Sequence, residues 1–274
     1  MNNPVTGSEV PADSANVLQL QGVARRFGGR SGSEPPFTAI FNVSFKVDQG
    51  EFVSVVGPSG CGKTTLLNLV AGLDEPNEGL VSLHGAPVSG PNPNVGFMLQ
   101  KDLLLPWRTV IHNVEFGLEA RKMSRTERHE RAMRELKRCR LADLAGRYPY
   151  QISGGQRQRA ALARTLAIDP MVVLLDEPFS ALDAQTKLAL QCSFARTIAD
   201  CGLTTLLITH DLSEAVAMSD RILVMNGRPG RIVEEIDVGL PDRDNPMARV
   251  ATPRAGEIVT HLFHALHLDN RLDA

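Results

Sequence analysis

The stretch Gly57-Pro58-Ser59-Gly60-Cys61-Gly62-Lys63-Thr64-Thr65 restricts the fold more than any other part of the chain. It follows Glu51–Val56, an apolar run that reads as a buried strand, and precedes Leu66–Ala71, which reads as the first turns of a helix. The spacing is Gly, four residues, Gly-Lys, then Thr. Glycines let the backbone curl so that successive N–H groups point into one hollow, and the helix N-terminus adds about half a positive charge there. Such a hollow suits a polyphosphate: Lys63 would reach its β- and γ-phosphates, and the Thr64 hydroxyl would ligate a bridging Mg²⁺. The bland alternative is an ordinary glycine turn before a helix.

Composition sets wide bounds. A chain of 274 residues buries a full core as one large domain or as a core with a subdomain. With 43% hydrophobic and 22% charged residues and a formal net charge of −2, it gives no electrostatic reason to expect nucleic acid or an anionic membrane as ligand. Cys61, Cys139, Cys192 and Cys201 are far apart and form no C-x-x-C pair, so neither a zinc site nor a disulfide framework is expected, and a reducing cytoplasm is the simplest home. Residues 1–16 have no basic and apolar regions of a signal peptide and read as a disordered tail. No run approaches the roughly 18 apolar residues of a membrane span. Work at a membrane would need another chain to cross it.

Before the glycine loop, Val17–Val23 reads as an edge strand that ends at Arg25-Arg26-Phe27, where Phe27 either stacks on an adenine ring or packs in the core. A second strand, about Ala39–Val47, turns through Asp48-Gln49-Gly50, and so short a turn predicts antiparallel pairing with the glycine-loop strand. After the loop, Leu80–Leu83 and Val95–Leu99 read as strands. Gln100 follows the second at the sheet edge where α/β proteins bind ligands, and either touches Mg²⁺ or the attacking water or caps a loop. Leu103–Trp107 is apolar and broken by Pro106, hence a partner surface or a satellite core. From Val110 to Tyr150 the pattern is helical, with a Ser124-x-x-Glu127 capping box opening a solvated helix to about Cys139 whose inner face carries Met133 and Leu136.

Ser153-Gly154-Gly155-Gln156 opens an Ala- and Leu-rich helix to Ala167, with Ser153 as N-cap and two glycines leaving the first N–H groups uncovered, a second anion site. Met171–Leu175 reads as a central parallel strand ending in Asp176-Glu177. Two carboxylates there call for a cation: Asp176 is assigned to the Mg²⁺ shell, and Glu177 to water attacking the γ-phosphate. Ser180–Asp183 is a turn before a helix to about Asp200, and strand Thr204–Thr209 delivers His210 to the same edge, where it either bonds the γ-phosphate or is structural. Arg221–Met225 and Arg231–Ile236 flank a hairpin turn. The remaining segment carries one amphipathic helix, with Ile258, Val259, Leu262, Phe263 and Leu266 on one face; His261, His264 and His267 read as a polar face rather than a metal site.

Taken together these pieces resemble the ATP-binding cassette of ABC transporters over roughly Val17 to Ile236. The resemblance rests on the P-loop, the Q-loop glutamine Gln100, the signature Ile152–Gln156, the Walker-B pair Asp176-Glu177, the D-loop Ser180–Asp183 and the switch His210. It implies an α/β P-loop NTPase (RecA-like) core with an antiparallel β subdomain and an inserted α-helical subdomain. The cassette would span 17–240, with the helical insertion at about 101–160 and a C-terminal helical tail at 241–274. ATP and Mg²⁺ follow as ligands: Phe27 and Gly57–Thr65 for the nucleotide, Thr64, Gln100 and Asp176 around the metal, and Glu177, His210 and Gln100 as catalytic groups. The family also implies a homodimer of cassettes paired head to tail, in which Ser153, Gly154, Gly155 and Gln156 act on the ATP held by the partner and Asp183 lies in the D-loop. Phe27 stands for the family's commoner Tyr, and Ile152 for its usual Leu.

Within the family, Leu104-Leu105-Pro106-Trp107-Arg108-Thr109-Val110 and Arg228-Pro229-Gly230-Arg231-Ile232 resemble the nitrate/sulfonate/taurine importer branch. This implies a peripheral subunit on the cytoplasmic face of the membrane, held by an integral-membrane permease through Leu104, Leu105 and Trp107, with a solute-binding protein in the complex. The alternatives are a different cargo, such as a pyrimidine-type vitamin precursor, or a soluble ABC ATPase without a transport role.

Overall fold

Short, β-branched apolar runs with no polar interruption can be satisfied only in the middle of a sheet covered on both faces. In the computed structural model, which describes residues 16–28 and 36–266, they form one six-stranded sheet in the order β10-β9-β3-β8-β7-β6. Its strands are β3 (Phe52–Val56), β6 (Val95–Met98), β7 (Val172–Asp176), β8 (Thr204–Thr209), β9 (Arg221–Asn226) and β10 (Arg231–Asp237). All pairings are parallel except β9 with β10. The register pairs Val56 with Thr209 and Asp176 with Ile208, so the residues that follow, Gly57, His210 and Glu177, emerge at one edge. That is the edge where open α/β sheets bind ligands.

A second, antiparallel sheet has the order β2-β1-β4-β5, from β1 (Asn16–Phe27), β2 (Phe37–Asp48), β4 (Glu78–Leu83) and the two-residue β5 (Ala86–Pro87). Two expectations fail here. The first strand is not an edge: it lies between β2 and β4, with Val17, Leu18, Leu20, Val23 and Ala24 buried. Its polar residues and the left-handed Gly22 mark register shifts in the ladder, not an exposed border. Nor do β2 and β3 form a hairpin. The turn at Asp48–Gly50 carries the chain from one sheet to the other, because both edges of β3 are taken by β8 and β9. Glu51 fixes the turn by accepting from the Asp48 N–H at 2.9 Å and pairing with Arg221 on β9 at 2.8 Å.

Helix α1 (Lys63–Val70) brings Leu66, Leu67, Leu69 and Val70 into the core shared by the two sheets. The other face of the parallel sheet is covered by α2 (Val110–Glu119), α3 (Arg125–Arg138), α4 (Gly154–Ala167) and α5 (Ala184–Cys201). The capping box at Ser124 and Glu127 is formed as the sequence predicts, with Leu136 buried and Met133 half-buried beneath it. A boundary at residue 160 cuts α4 in the middle; the helix runs on to Ala167 and its second half joins the core beneath β7.

A third core joins α6 (Leu212–Met218) to α8 (Pro253–Ala265) over β3 and β9, with the short α7 (Pro246–Val250) between. The C-terminal segment is thus a layer of the same body. Ile258, Leu262 and Leu266 are buried and Val259 is partly buried, but Phe263 is 42% exposed, because the buried stripe follows i, i+4, i+8 and residue 263 lies off it. Arg249 of α7 is fully buried and donates to the carbonyls of Ala217 at 3.1 Å and Leu240 at 2.9 Å, anchoring this layer. His261 pairs with Glu234 of β10 at 2.7 Å, a polar contact as expected. His267 lies outside the described residues, as does residue 1–16 but for Asn16. Among the described residues no helix is long and apolar enough to cross a membrane.

Candidate active site

The glycine loop leaves β3 and closes on α1 with Lys63 buried inside the turn, its Nζ donating to the carbonyls of Gly57 at 2.8 Å and Pro58 at 3.0 Å. Side chains are excluded by contact on the far side of the loop. Gly62 has φ +99°, and a Cβ there would meet Ile40 at 2.5 Å and the Ala39 carbonyl at 2.9 Å. Gly230, in the β9–β10 turn, presses on the loop so closely that a Cβ would stand 1.8 Å from the Cys61 carbonyl. Gly230→Ala is therefore expected to displace the loop at a cost of about 1–3 kcal/mol, read as a lower melting midpoint together with weaker nucleotide binding. The Cys61 side chain is turned into the core, where burial pushes its thiol up, and it does not line the cleft beside Lys63.

A cleft of roughly 350 Å³ runs from Ser59, Gly60, Lys63, Thr64 and Thr65 to Glu177 on one side and to Phe27, Phe37 and Ala39 on the other. Phe27 is not a core residue: it is 41% exposed, with the Arg25 guanidinium 4.7 Å from its ring centre and Arg25 held by Asp74 at 2.7 Å. Phe37 pairs with it across the β1–β2 ladder and is 52% exposed. Sequence reasoning missed Phe37; its place at the start of the strand after the same loop, in register with Phe27, was the available signal.

Asp176 ends β7 half-buried, and its carboxyl is raised by desolvation and by the neighbouring Glu177 charge, with Lys63 acting against them. Glu177 has φ +47°, a strained backbone held by its N–H bond to the Ile208 carbonyl at 2.9 Å. Its Oε2 lies 3.2 Å from His210 Nδ1. The carboxylates of Asp176 and Glu177 and the hydroxyls of Thr64 and Thr65 supply oxygen donors of the kind that fit a hard divalent cation, and Lys63 supplies positive charge suited to phosphate oxygens. Gln100 stands elsewhere. Its Nε2 donates to Ser180 Oγ at 3.0 Å, Ser180 Oγ donates to the Glu177 carbonyl at 3.0 Å, and Gln100 lines a neighbouring cleft with Leu103, Gly154, Arg157 and Leu182 rather than the one around Lys63.

The profile of the ABC transporter family matches residues 40–180. The chain belongs to that family and is an ATPase of ABC transport. Among its curated relatives, the taurine import ATP-binding protein TauB of Yersinia pestis is 45% identical over 83% of the chain and 86% of its own length. The nitrate transport protein NasD of Klebsiella oxytoca is 40% identical over 92% of the chain and 96% of its own length. Among solved structures, the ATP-binding cassette MJ0796, a dimer in a post-hydrolysis state bound to ADP and Pi, is similar with a TM-score of 0.69 and 33% identity over 81% of the chain and 98% of its own.

In this cassette the signature residues do not meet the P-loop of the same chain. Ser153 and Gly155 line a separate recess with Arg140, Arg159 and Thr186, and none of Ser153–Gln156 lines the cleft around Lys63. Ser153 Oγ accepts from the Gln156 N–H at 3.3 Å, while Gln156 Oε1 accepts from the Ser153 N–H at 2.8 Å. The Gln156 side chain, expected to act on a nucleotide, thus closes a capping box of its own helix. Ile152 is buried, with its carbonyl bound by Arg157 at 3.0 Å, so this departure from the family's Leu falls in the core. Asp183 caps α5, and the Thr186 N–H at 2.9 Å holds its carboxyl below the usual range. Leu104, expected on the permease surface, is instead in the core at 7% exposure, and Leu105 is half-buried. The turn that inserts Leu104 presents Leu103, with φ +45° and 54% exposure, beside Trp107 at 72%.

Proposed function

We propose that the cassette hydrolyses ATP as a homodimer and energises an importer of a small anionic solute of the sulfonate, taurine or nitrate class. It would sit on the cytoplasmic face of the membrane through a separate permease, with a solute-binding protein delivering the cargo. One observation supports the site reading: Lys63 and Glu177 line one cleft, with His210 paired to Glu177, while Ser153 and Gly155 line a recess on another surface of the same chain. A second copy turned head to tail would close the two halves over each nucleotide, in keeping with the dimer of MJ0796. The names of TauB and NasD support the importer and the cargo class.

In this reading the Phe27 and Phe37 rings receive the adenine and the loop N–H groups and Lys63 hold the phosphates, while Thr64 and Asp176 are the residues that would hold Mg²⁺, whose chemistry there would be to withdraw charge from phosphate oxygens. Glu177 orients the attacking water and accepts its proton, and His210 holds both Glu177 and the γ-phosphate. Gln100, tied to Ser180, reports on the site from the helical side. Hydrolysis and phosphate release then let the dimer reopen and the permease change state.

The test is ATP turnover by the full complex in proteoliposomes with its binding protein. Taurine, an alkanesulfonate or nitrate is expected to stimulate it. Stimulation only by a pyrimidine precursor would overturn the cargo class, and indifference to the permease would overturn the importer reading. Trp107→Ala is expected to lower transport by about tenfold or more, the usual weight of a buried interfacial tryptophan, while the ATPase rate of the cassette alone stays near wild type. Equal loss of both would remove Trp107 from the permease contact.

A further inference from the structure

The switch residue His210 is 58% exposed, and its one described side-chain ion-pair partner is Glu177, so what fixes its place must act on the backbone around it. Both flanking residues are held. The Asp211 N–H donates to Thr209 Oγ1 at 3.0 Å, and Asp211 Oδ1 accepts from the Glu214 N–H at 3.0 Å as the N-cap of α6. The remaining Asp211 oxygen, Oδ2, lies 2.7 Å from Lys187 Nζ. The same ammonium is 3.0 Å from Oε2 of Glu214, a carboxylate only 3% exposed that also accepts from Gln191 Nε2 at 3.3 Å.

Lys187 belongs to α5, and its backbone N–H donates to the Asp183 carbonyl at 2.8 Å, placing it in the turn directly after the D-loop. One side chain therefore joins the segment that opens with Ser180 and Asp183 to the segment that carries His210. On its other side that D-loop segment is bonded to Gln100 and to the backbone of Glu177. We infer that Lys187 is a positioning residue for hydrolysis: its bridge to Asp211 and Glu214 makes the stance of His210 against Glu177 follow the position of the D-loop. The inference rests on the reading of His210 and Glu177 given above. The simpler role, neutralising the buried Glu214, predicts stability without any specific effect on turnover.

The test uses the full chain and steady-state ATPase kinetics. Lys187→Met is expected to lower kcat by about tenfold to hundredfold, the scale of a misplaced catalytic group, with KM for ATP within about twofold, and Lys187→Arg to restore most of the rate. Because Lys187→Met leaves a buried carboxylate unpaired, the double variant K187M/E214Q is measured beside it. It is expected to melt near wild type and remain slow. A wild-type kcat in the double variant, or a KM that rises in step with the fall in kcat, overturns the inference. If Lys187→Met does not fold, the double variant decides. His210→Ala separates the layers: an unchanged kcat there overturns both the catalytic reading and this one, whereas a slow His210→Ala beside a fast K187M/E214Q overturns only the role of Lys187.

Discussion

Replacing Glu177 by Gln is expected to slow ATP turnover by about 10²- to 10⁴-fold, the range lost when a positioned general base is removed. The substitution preserves size, so the contact with His210 Nδ1, 3.2 Å from Oε2, can persist through the amide oxygen. The left-handed backbone at φ +47° is no harder for Gln than for Glu. What disappears is the capacity to take a proton from water. Nucleotide binding by Lys63 and the glycine loop is untouched, so the ATP-bound state is expected to accumulate and hold two copies together. Single-turnover hydrolysis and light scattering with ATP check the two halves of this expectation. A rate within about tenfold of wild type would remove Glu177 as the base, and a variant that stays monomeric with ATP would count against a composite site.

The edge at which Glu177 stands was readable because burial and chemistry used different alphabets along the same strands. Val172–Leu175 and Thr204–Ile208 are apolar or β-branched and fully buried, and ionisable groups begin only where the strands end, at Asp176 and at His210. The helix starts were legible for a similar local reason: Ser124, Ser153 and Asp183 each accept the N–H that an N-cap is chosen to satisfy. The Ser153-x-x-Gln156 pattern even announced the second half of its capping box, although the glycines drew the reading toward a ligand.

Longer-range choices were not written in any one segment. A three-residue turn cannot reveal that the next strand already has partners in β8 and β9, 153 and 168 residues further along, so the predicted hairpin of β2 with β3 failed. The single buried leucine in Leu103–Leu105 is decided by which side chain the left-handed turn at Leu103 aims at the core under α2 and α4, and three identical residues carry no pattern to tell them apart. Gln100 lies at the sheet edge as expected, but its partner Ser180 is 80 residues away in the D-loop, a contact that no local pattern announces.

Ser153→Arg is expected to abolish turnover, and the manner of the loss distinguishes a composite site from a site within one chain. Losing the N-cap costs about 0.5–2 kcal/mol, against a stability of about 5–15 kcal/mol for a domain, so the variant should still fold. Its own cleft around Lys63 is intact, since no signature residue lines it, and nucleotide binding by that half should survive. Lys63→Ala makes the complementary loss, sparing the signature while removing the ammonium from the phosphate loop. In a head-to-tail pair of one variant with the other, both lesions fall in one site and the second site is wholly wild type. Mixing the two inactive proteins is then expected to restore activity, up to about a quarter of wild type when half the dimers are mixed and each has one working site of two. Mixed samples no more active than their parents would mean that Ser153 serves the chain that carries it, and the separation of the two anion sites on one cassette would need another cause.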